Sequence, residues 1–168
     1  DCAEGFQFTH YAAWQGFMGI RNAFMPGISV KAVLDRVPWT TFTDPEVAHV
    51  GYTEIQARAK LGDGVLVSTF PMDRSIAEGD TSGFIKVIHR SNGKILGATI
   101  VSTRAGEMIH EYALAMDKGL KIRDLAESIH VYPTYSLGTM QLAAQVRVDQ
   151  VMEGNTGKFL KGLTKLAR

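Results

Sequence analysis

The segment Ile129-His130-Val131-Tyr132-Pro133-Thr134-Tyr135-Ser136 carries the densest titratable chemistry in the chain. A proline fixes its own φ and pushes the preceding residue out of the helical region. Tyr132 is therefore expected to be extended. In a strand-like segment residues two apart point to the same side, which predicts the Tyr132 phenol and the His130 imidazole on one face. Such a pair can pass a proton or orient a ligand. The same residues also fit a packed Tyr-Pro turn between two helices.

Other chemistry-bearing residues form no motif. The five histidines, His10, His49, His89, His110 and His130, fall in no HxxxH or HExxH spacing, and Cys2 is the single cysteine. Neither a disulfide within the chain nor a metal site is expected. His89 on a strand and His110 on a helix read as half-exposed surface residues. Glu107 and Glu111, four apart on one helical face, read as a solvated face, with a working carboxylate pair as the alternative. There is no GxGxxG, P-loop or GxSxG pattern, so the chain carries no complete nucleotide cradle or nucleophile elbow. Two aromatic and methionine faces (Trp14, Phe17, Met18; Met108, Tyr112, Met116) read as core packing rather than pocket lining.

The elements that must hold these residues follow from periodicity and punctuation. Residues 9–24 predict a helix with Thr9 as N-cap and an apolar stripe of Tyr11, Trp14, Phe17, Met18 and Phe24, stopped by Met25-Pro26-Gly27. Short strands are expected over 39–42 and 47–50, separated by the Thr43–Glu46 turn. Thr53 with Gln56 predicts a capping box for a helix to Leu61. Longer strands are expected over 65–72, 84–89 and 94–101, and Asn92-Gly93 predicts a tight hairpin between the last two. Residues 73–82 read as an exposed loop. Helices are expected over 105–118, closed by Gly119, over 122–128 and over 140–152. Grouped strands followed by grouped helices predict an α+β fold, with an antiparallel sheet and helices on one face.

The totals are ordinary. The chain has 168 residues, 45% of them apolar, and a net charge of +1. One domain with an appendage is expected, with no general pull toward nucleic acid. No apolar run approaches the roughly 20 residues of a membrane span, and no signal-peptide pattern is present, so the expectation is a cytoplasmic protein without a membrane partner. The first residue is Asp rather than Met, which fits a trimmed tag, processing, or a piece cut from something longer. The tail from Lys158 is basic and amphipathic and reads as a frayed terminus.

Taken in order, the motifs carry a resemblance. Phe42-Thr43-Asp44-Pro45-Glu46, then Val50-Gly51, Glu54 and Ala57, resembles the opening of the C-terminal interface domain of the FAD-dependent pyridine nucleotide–disulfide oxidoreductases. Dihydrolipoamide dehydrogenase, glutathione reductase and mercuric reductase are members. Gly83-Phe84-Ile85-Lys86, Ile95-Leu96-Gly97-Ala98 and Ala105-Gly106-Glu107-Met108-Ile109 resemble later markers of that domain, and Tyr132-Pro133-Thr134 sits where the family usually has His-Pro-Thr. Residues 38–153 are covered. Upstream, Asp1-Cys2, Phe8-Thr9-His10, Ala12 and Gly16 resemble the family's last FAD-binding motif, which ends in a Gly-Asp pair followed by a helix.

The resemblance implies three parts: an FAD-domain remnant over 1–37, the interface domain over 38–154 and a basic tail over 155–168. It implies that Asp1, Phe8, Thr9 and His10 are part of an FAD site, with a helix N-terminus beneath the flavin ring. It implies a homodimer in which Tyr132, His130 and Pro133 reach the partner's flavin and disulfide. FAD and NAD(P)H belong to the full-length parent, and the chain alone is expected to bind neither fully and to be inactive. In thiol-reducing members the Tyr132 position is a proton-shuttling His oriented by a Glu, which here falls at Leu137. An ordinary tyrosine keeps its proton to about pH 10, so Tyr132 suits donation rather than base chemistry. Mercuric reductases also lack that His, so the resemblance leans their way, although their usual C-terminal cysteine pair is absent. His130 is the candidate substitute base. The reading from another class is a free-standing α+β interaction or ligand-binding module with no redox role.

Overall fold

The computed structural model describes residues 5–25, 27, 29–31, 35–72 and 83–154. Asp1, the 73–82 loop and the 155–168 tail lie outside the described residues. The elements run α1 (Thr9–Phe24), β1 (Trp39–Thr41), β2 (Glu46–Gly51), α2 (Glu54–Leu61), β3 (Val65–Pro71), β4 (Phe84–Arg90), β5 (Ile95–Ser102), α3 (Ala105–Lys118), α4 (Ile122–Glu127) and α5 (Leu137–Glu153). The strands make one antiparallel sheet in the order β1-β2-β5-β4-β3. The α+β expectation is met.

Alternation along the strands decides what is buried. Ala48 and Val50 of β2, Phe70 of β3, Ile85 and Val87 of β4, and Ala98 and Ile100 of β5 form one core with Met108, Ile109, Tyr112 and Ala115 of α3, Ile122 and Leu125 of α4, and Leu142, Ala143 and Val146 of α5. Three helices therefore cover one face. A bulge between Ile88 and His89 shifts the register opposite β5. Ile95 joins the core under the helices, and Leu96 joins Ala57, Val65 and Ile88 in a small second core under α2. The shorter α2 thus packs on the reverse face.

Local chemistry explains the joints. Thr53 Oγ1 accepts from Gln56 N at 3.3 Å and Gln56 Oε1 accepts from Thr53 N at 3.0 Å, the reciprocal pair the spacing predicts. Arg90 N donates to Lys94 O at 2.9 Å across the Asn92-Gly93 turn. Gly119 closes α3 in the left-handed conformation (φ 68°, ψ 22°), which glycine adopts without a Cβ clash.

Two helix starts differ from expectation. Phe8, not Thr9, is the extended N-cap of α1, and no side chain among the described residues caps that helix. α5 begins at Leu137, three residues before the predicted Met140. Gly138 and Thr139 are weak helix formers, but both are buried and bonded within one turn, Gly138 N to Tyr135 O at 3.2 Å and Thr139 N to Ser136 O at 3.0 Å. Packing overrides propensity there.

Candidate functional site

The 128–136 loop joins α4 to α5. Its approach is fixed by the turn before α4, where Leu120 N donates to Ala115 O at 2.8 Å, Lys121 N to Asp124 Oδ2 at 2.7 Å and Ile122 N to Gly93 O at 2.9 Å. The loop itself pairs with no strand. Ile129 is 99%, Val131 74% and Tyr132 73% exposed. The His130 side chain is only 10% exposed. Tyr132 and His130 therefore do not share a face, contrary to the strand-like expectation. The Thr134 hydroxyl folds back to donate to Val131 O at 2.6 Å, while the His130 ring is drawn inward.

What draws it is Glu111. His130 Nε2 lies 2.9 Å from Glu111 Oε1, and Nδ1 lies 2.9 Å from Ser128 O. The Glu111 side chain is 25% exposed, so it belongs to no solvated face, while Glu107 one turn earlier is exposed. Burial pushes the Glu111 carboxyl above the usual range, and the nearby His130 pulls it back. Next to Glu111 the fully buried Tyr112 phenol is pushed well above its ordinary value by desolvation, with Thr139 of α5 acting on both groups. Among the described residues neither the Tyr112 hydroxyl nor the Thr139 hydroxyl has a hydrogen-bond partner of good geometry. Glu111 is the residue of this site that the sequence placed on a solvated face and the structure places in a half-buried contact with His130. The available signal was its place beside Met108, Tyr112 and Ala115 on the buried side of α3.

Two other histidines serve the sheet. His89, expected half-exposed, is 2% exposed. Its Nδ1 donates to Arg90 O at 3.0 Å and Nε2 accepts from Ser68 Oγ at 2.9 Å. His49 is 5% exposed, with Nε2 donating to Gly51 O at 3.0 Å and Nδ1 accepting from Thr99 Oγ1 at 2.8 Å. Each ring has one donor and one acceptor role filled, as a neutral imidazole requires, and burial lowers both pKa values. His110, expected half-exposed, is exposed. Among the described residues no group of three or more His, Cys, Asp or Glu side chains is placed to hold a metal.

The other predicted site lies at the start of α1. Phe6, Phe8 and His10 stack in series, with ring centroids 5.6 and 5.2 Å apart, and His10 Nε2 donates to Pro38 O at 2.8 Å. Phe8, Thr9 and His10 line a cleft of about 530 Å³ that reaches Trp39, Glu46 and the first turn of α3. No residue of the 128–136 loop lines this cleft. The first backbone bond of α1 runs from Ala12 N to Phe8 O, so the N–H groups of Thr9, His10 and Tyr11 have no partner within the helix. Of the predicted apolar stripe only Tyr11 is buried, while Phe17 is 65% and Phe24 82% exposed.

Residues 37–142 match the family model described as "Pyridine nucleotide-disulphide oxidoreductase, dimerisation domain". The chain belongs to this family. It is similar to mercuric reductases from Lysinibacillus sphaericus (40% identical over 148 residues, 86% of this chain and 27% of that protein) and Bacillus cereus (38% over 142 residues, 82% and 22%). It is also similar to the dihydrolipoyl dehydrogenase of Halobacterium salinarum, 36% identical over 147 residues, 85% of this chain and 30% of that protein. Among solved structures, LpdA from Mycobacterium tuberculosis superposes with a TM-score of 0.78 at 28% identity, covering 87% of this chain and 32% of that one. The HOCl-induced flavoprotein disulfide reductase RclA from Escherichia coli, as its Cu(II) complex, gives 0.75 at 29%, covering 84% and 33%. The chain thus spans a third or less of each of these oxidoreductases. Among the described residues no helix is long and apolar enough to cross a membrane.

Proposed function

We propose that this chain is the dimerisation domain, with the end of the FAD domain before it, of an FAD-dependent NAD(P)H oxidoreductase of the mercuric reductase type. The parent passes electrons from NAD(P)H through FAD to a disulfide or metal substrate. The division into 1–37, 38–154 and 155–168 belongs to the same reading, as does a cytoplasmic location.

The observation that carries it is the outward presentation of Ile129, Val131 and Tyr132 at 99%, 74% and 73% exposure. Apolar and aromatic side chains held that far into solvent by a loop whose own base is pinned are what a partner surface covers. A second copy of the chain is that partner, and Tyr132 with Pro133 then lies at the other subunit's redox centre. Tyr132 donates a hydrogen bond there; it takes no proton.

The start of α1 fits a flavin. Its three free N–H groups and positive dipole end suit the electron-rich edge of a reduced ring, and Phe8, Thr9 and His10 line the cleft beside them. When bound, FAD supplies hydride acceptance and onward electron transfer. The chain's residues orient it and bring Tyr132 toward the substrate, and without the remaining domains they turn nothing over.

The test is sedimentation of the chain at micromolar concentration, together with the visible absorption of the full-length protein. A dimer and a flavin spectrum are expected. A clean monomer overturns the dimerisation reading, and a colourless full-length protein overturns the redox reading in favour of an interaction module.

A further inference from the structure

Tyr132 and Pro133 form an exposed part of the 128–136 loop, and few bonds hold them there. Pro133 has no N–H to donate. Among the described residues no backbone–backbone hydrogen bond closes the turn from Val131 to Thr134. One side chain does so instead: the Thr134 hydroxyl donates to Val131 O at 2.6 Å. The carbonyl that a β-turn offers to the N–H of its fourth residue is here taken by that residue's hydroxyl. Threonine suits the task, because its branched Cβ restricts χ1 and so limits the directions its hydroxyl can take.

Behind this bond the loop is already anchored. Tyr135 packs against the main core. Leu137 N donates to Thr134 O at 3.3 Å and Gly138 N to Tyr135 O at 3.2 Å, which carries the chain into α5. Ahead of it, Val131 and Tyr132 are 74% and 73% exposed, whereas Thr134 is half-buried. Thr134 is the joint between the anchored base and the exposed tip.

We infer that Thr134 is a positioning residue: by closing the turn on Val131 O, its hydroxyl fixes the direction in which Tyr132 is presented to the partner subunit. It acts through Tyr132 and takes no part in chemistry. The Tyr132-Pro133-Thr134 marker is then one device, made of a presented ring, a residue that cannot donate, and the hydroxyl that closes the turn over both.

The use of Tyr132 rests on the dimerisation reading, but the closure of the turn does not. The test compares Thr134→Val, which keeps the shape and removes the hydroxyl, with Thr134→Ser, which keeps the hydroxyl. Sedimentation gives the dimer dissociation constant, urea titration the overall stability, and ¹⁵N relaxation the order at Tyr132. Loss of one neutral hydrogen bond corresponds to about fivefold in an equilibrium. Thr134→Val should therefore weaken the dimer by about fivefold with the urea midpoint unchanged, and Thr134→Ser should restore it. An unchanged dissociation constant in Thr134→Val overturns the inference. So does a loss that Thr134→Ser fails to restore, or one accompanied by a fall in the urea midpoint, because either marks a general packing role. A monomeric unsubstituted chain sinks the dimerisation reading, and the order at Tyr132 then decides the turn. A fall in its backbone order parameter in Thr134→Val from about 0.85 to below about 0.6 upholds the closure, and an unchanged value overturns it.

Discussion

Replacing Gly97 with alanine should damage this fold more than its single added carbon suggests. Gly97 sits in β5 opposite Gly51 of β2. A Cβ built on it would overlap the Tyr52 carbonyl oxygen and lie 2.8 Å from the Tyr52 nitrogen and 3.0 Å from its carbonyl carbon. All three are backbone atoms, so no side chain can swing aside. Either β5 or the chain leaving β2 must shift, and that shift strains the Tyr52 N to Leu96 O bond of 3.0 Å and the capping box of α2 one residue later. Overpacking against a rigid neighbour costs about 3 kcal/mol, and the weakened bond adds about 1 kcal/mol. For a chain of this size that corresponds to a fall in Tm of roughly 8–16 °C. The assay is urea and thermal unfolding followed by circular dichroism. The control lies in α1, where an added Cβ at Gly16 or Gly19 meets nothing within 4 Å, and alanine there should stabilise the helix by about 0.5–1 kcal/mol. A Gly97→Ala variant within about 0.5 kcal/mol of the parent, a change typical of neutral surface substitutions, would refute the packing argument.

Two more outcomes follow from named groups. Thr53→Ala removes one half of the reciprocal cap of α2 and should lower stability by about 1 kcal/mol in urea titration; a Thr53→Ser variant should restore most of it. His49 and His89 are held neutral by burial, with folded-state pKa values below the ordinary figure of about 6.5. Below that figure the unfolded chain binds protons the folded one refuses, so stability present above about pH 6.5 is lost as pH falls through the folded-state values. Glu111, raised by burial, shifts the opposite way: its contribution is present below its unfolded pKa and is lost as pH rises through the folded value. Glu111 thus offsets part of the loss. Urea midpoints at pH 7.5 and 5.5 measure the net slope, and equal midpoints would show that the histidines do not control it.

The parts of the fold legible in the sequence were those written in neighbouring residues. Thr53 with Gln56, Asn92-Gly93 and the alternation of β4 each specify geometry within a few positions, and each stands where it was read. The start of α5 was not legible, because Gly138 and Thr139 are helical for the sake of their burial and not by their own preference. The burial of His89 depends on Ser68, a strand away. At the site, the exposed Tyr132 loop was foreseen as a segment but not as a shape. The partner that shapes it, Glu111, stands 19 positions from His130 on another helix, and no spacing rule connects them.

The sheet order also sets the sequence of assembly during synthesis. β3, β4 and β5 follow one another as neighbours and can zip up locally. The β1–β2 hairpin leaves the ribosome well before β5 exists, yet among the described residues β5 is the strand that joins it to the rest, with Glu46 waiting for Ser102. Until then the inward side of β2, Ala48 and Val50, has no cover, because α3 is made after β5. The arrival of a single strand therefore closes the sheet and commits the nascent domain, and arrest of translation before residue 95 should leave a chain that chaperones hold rather than release.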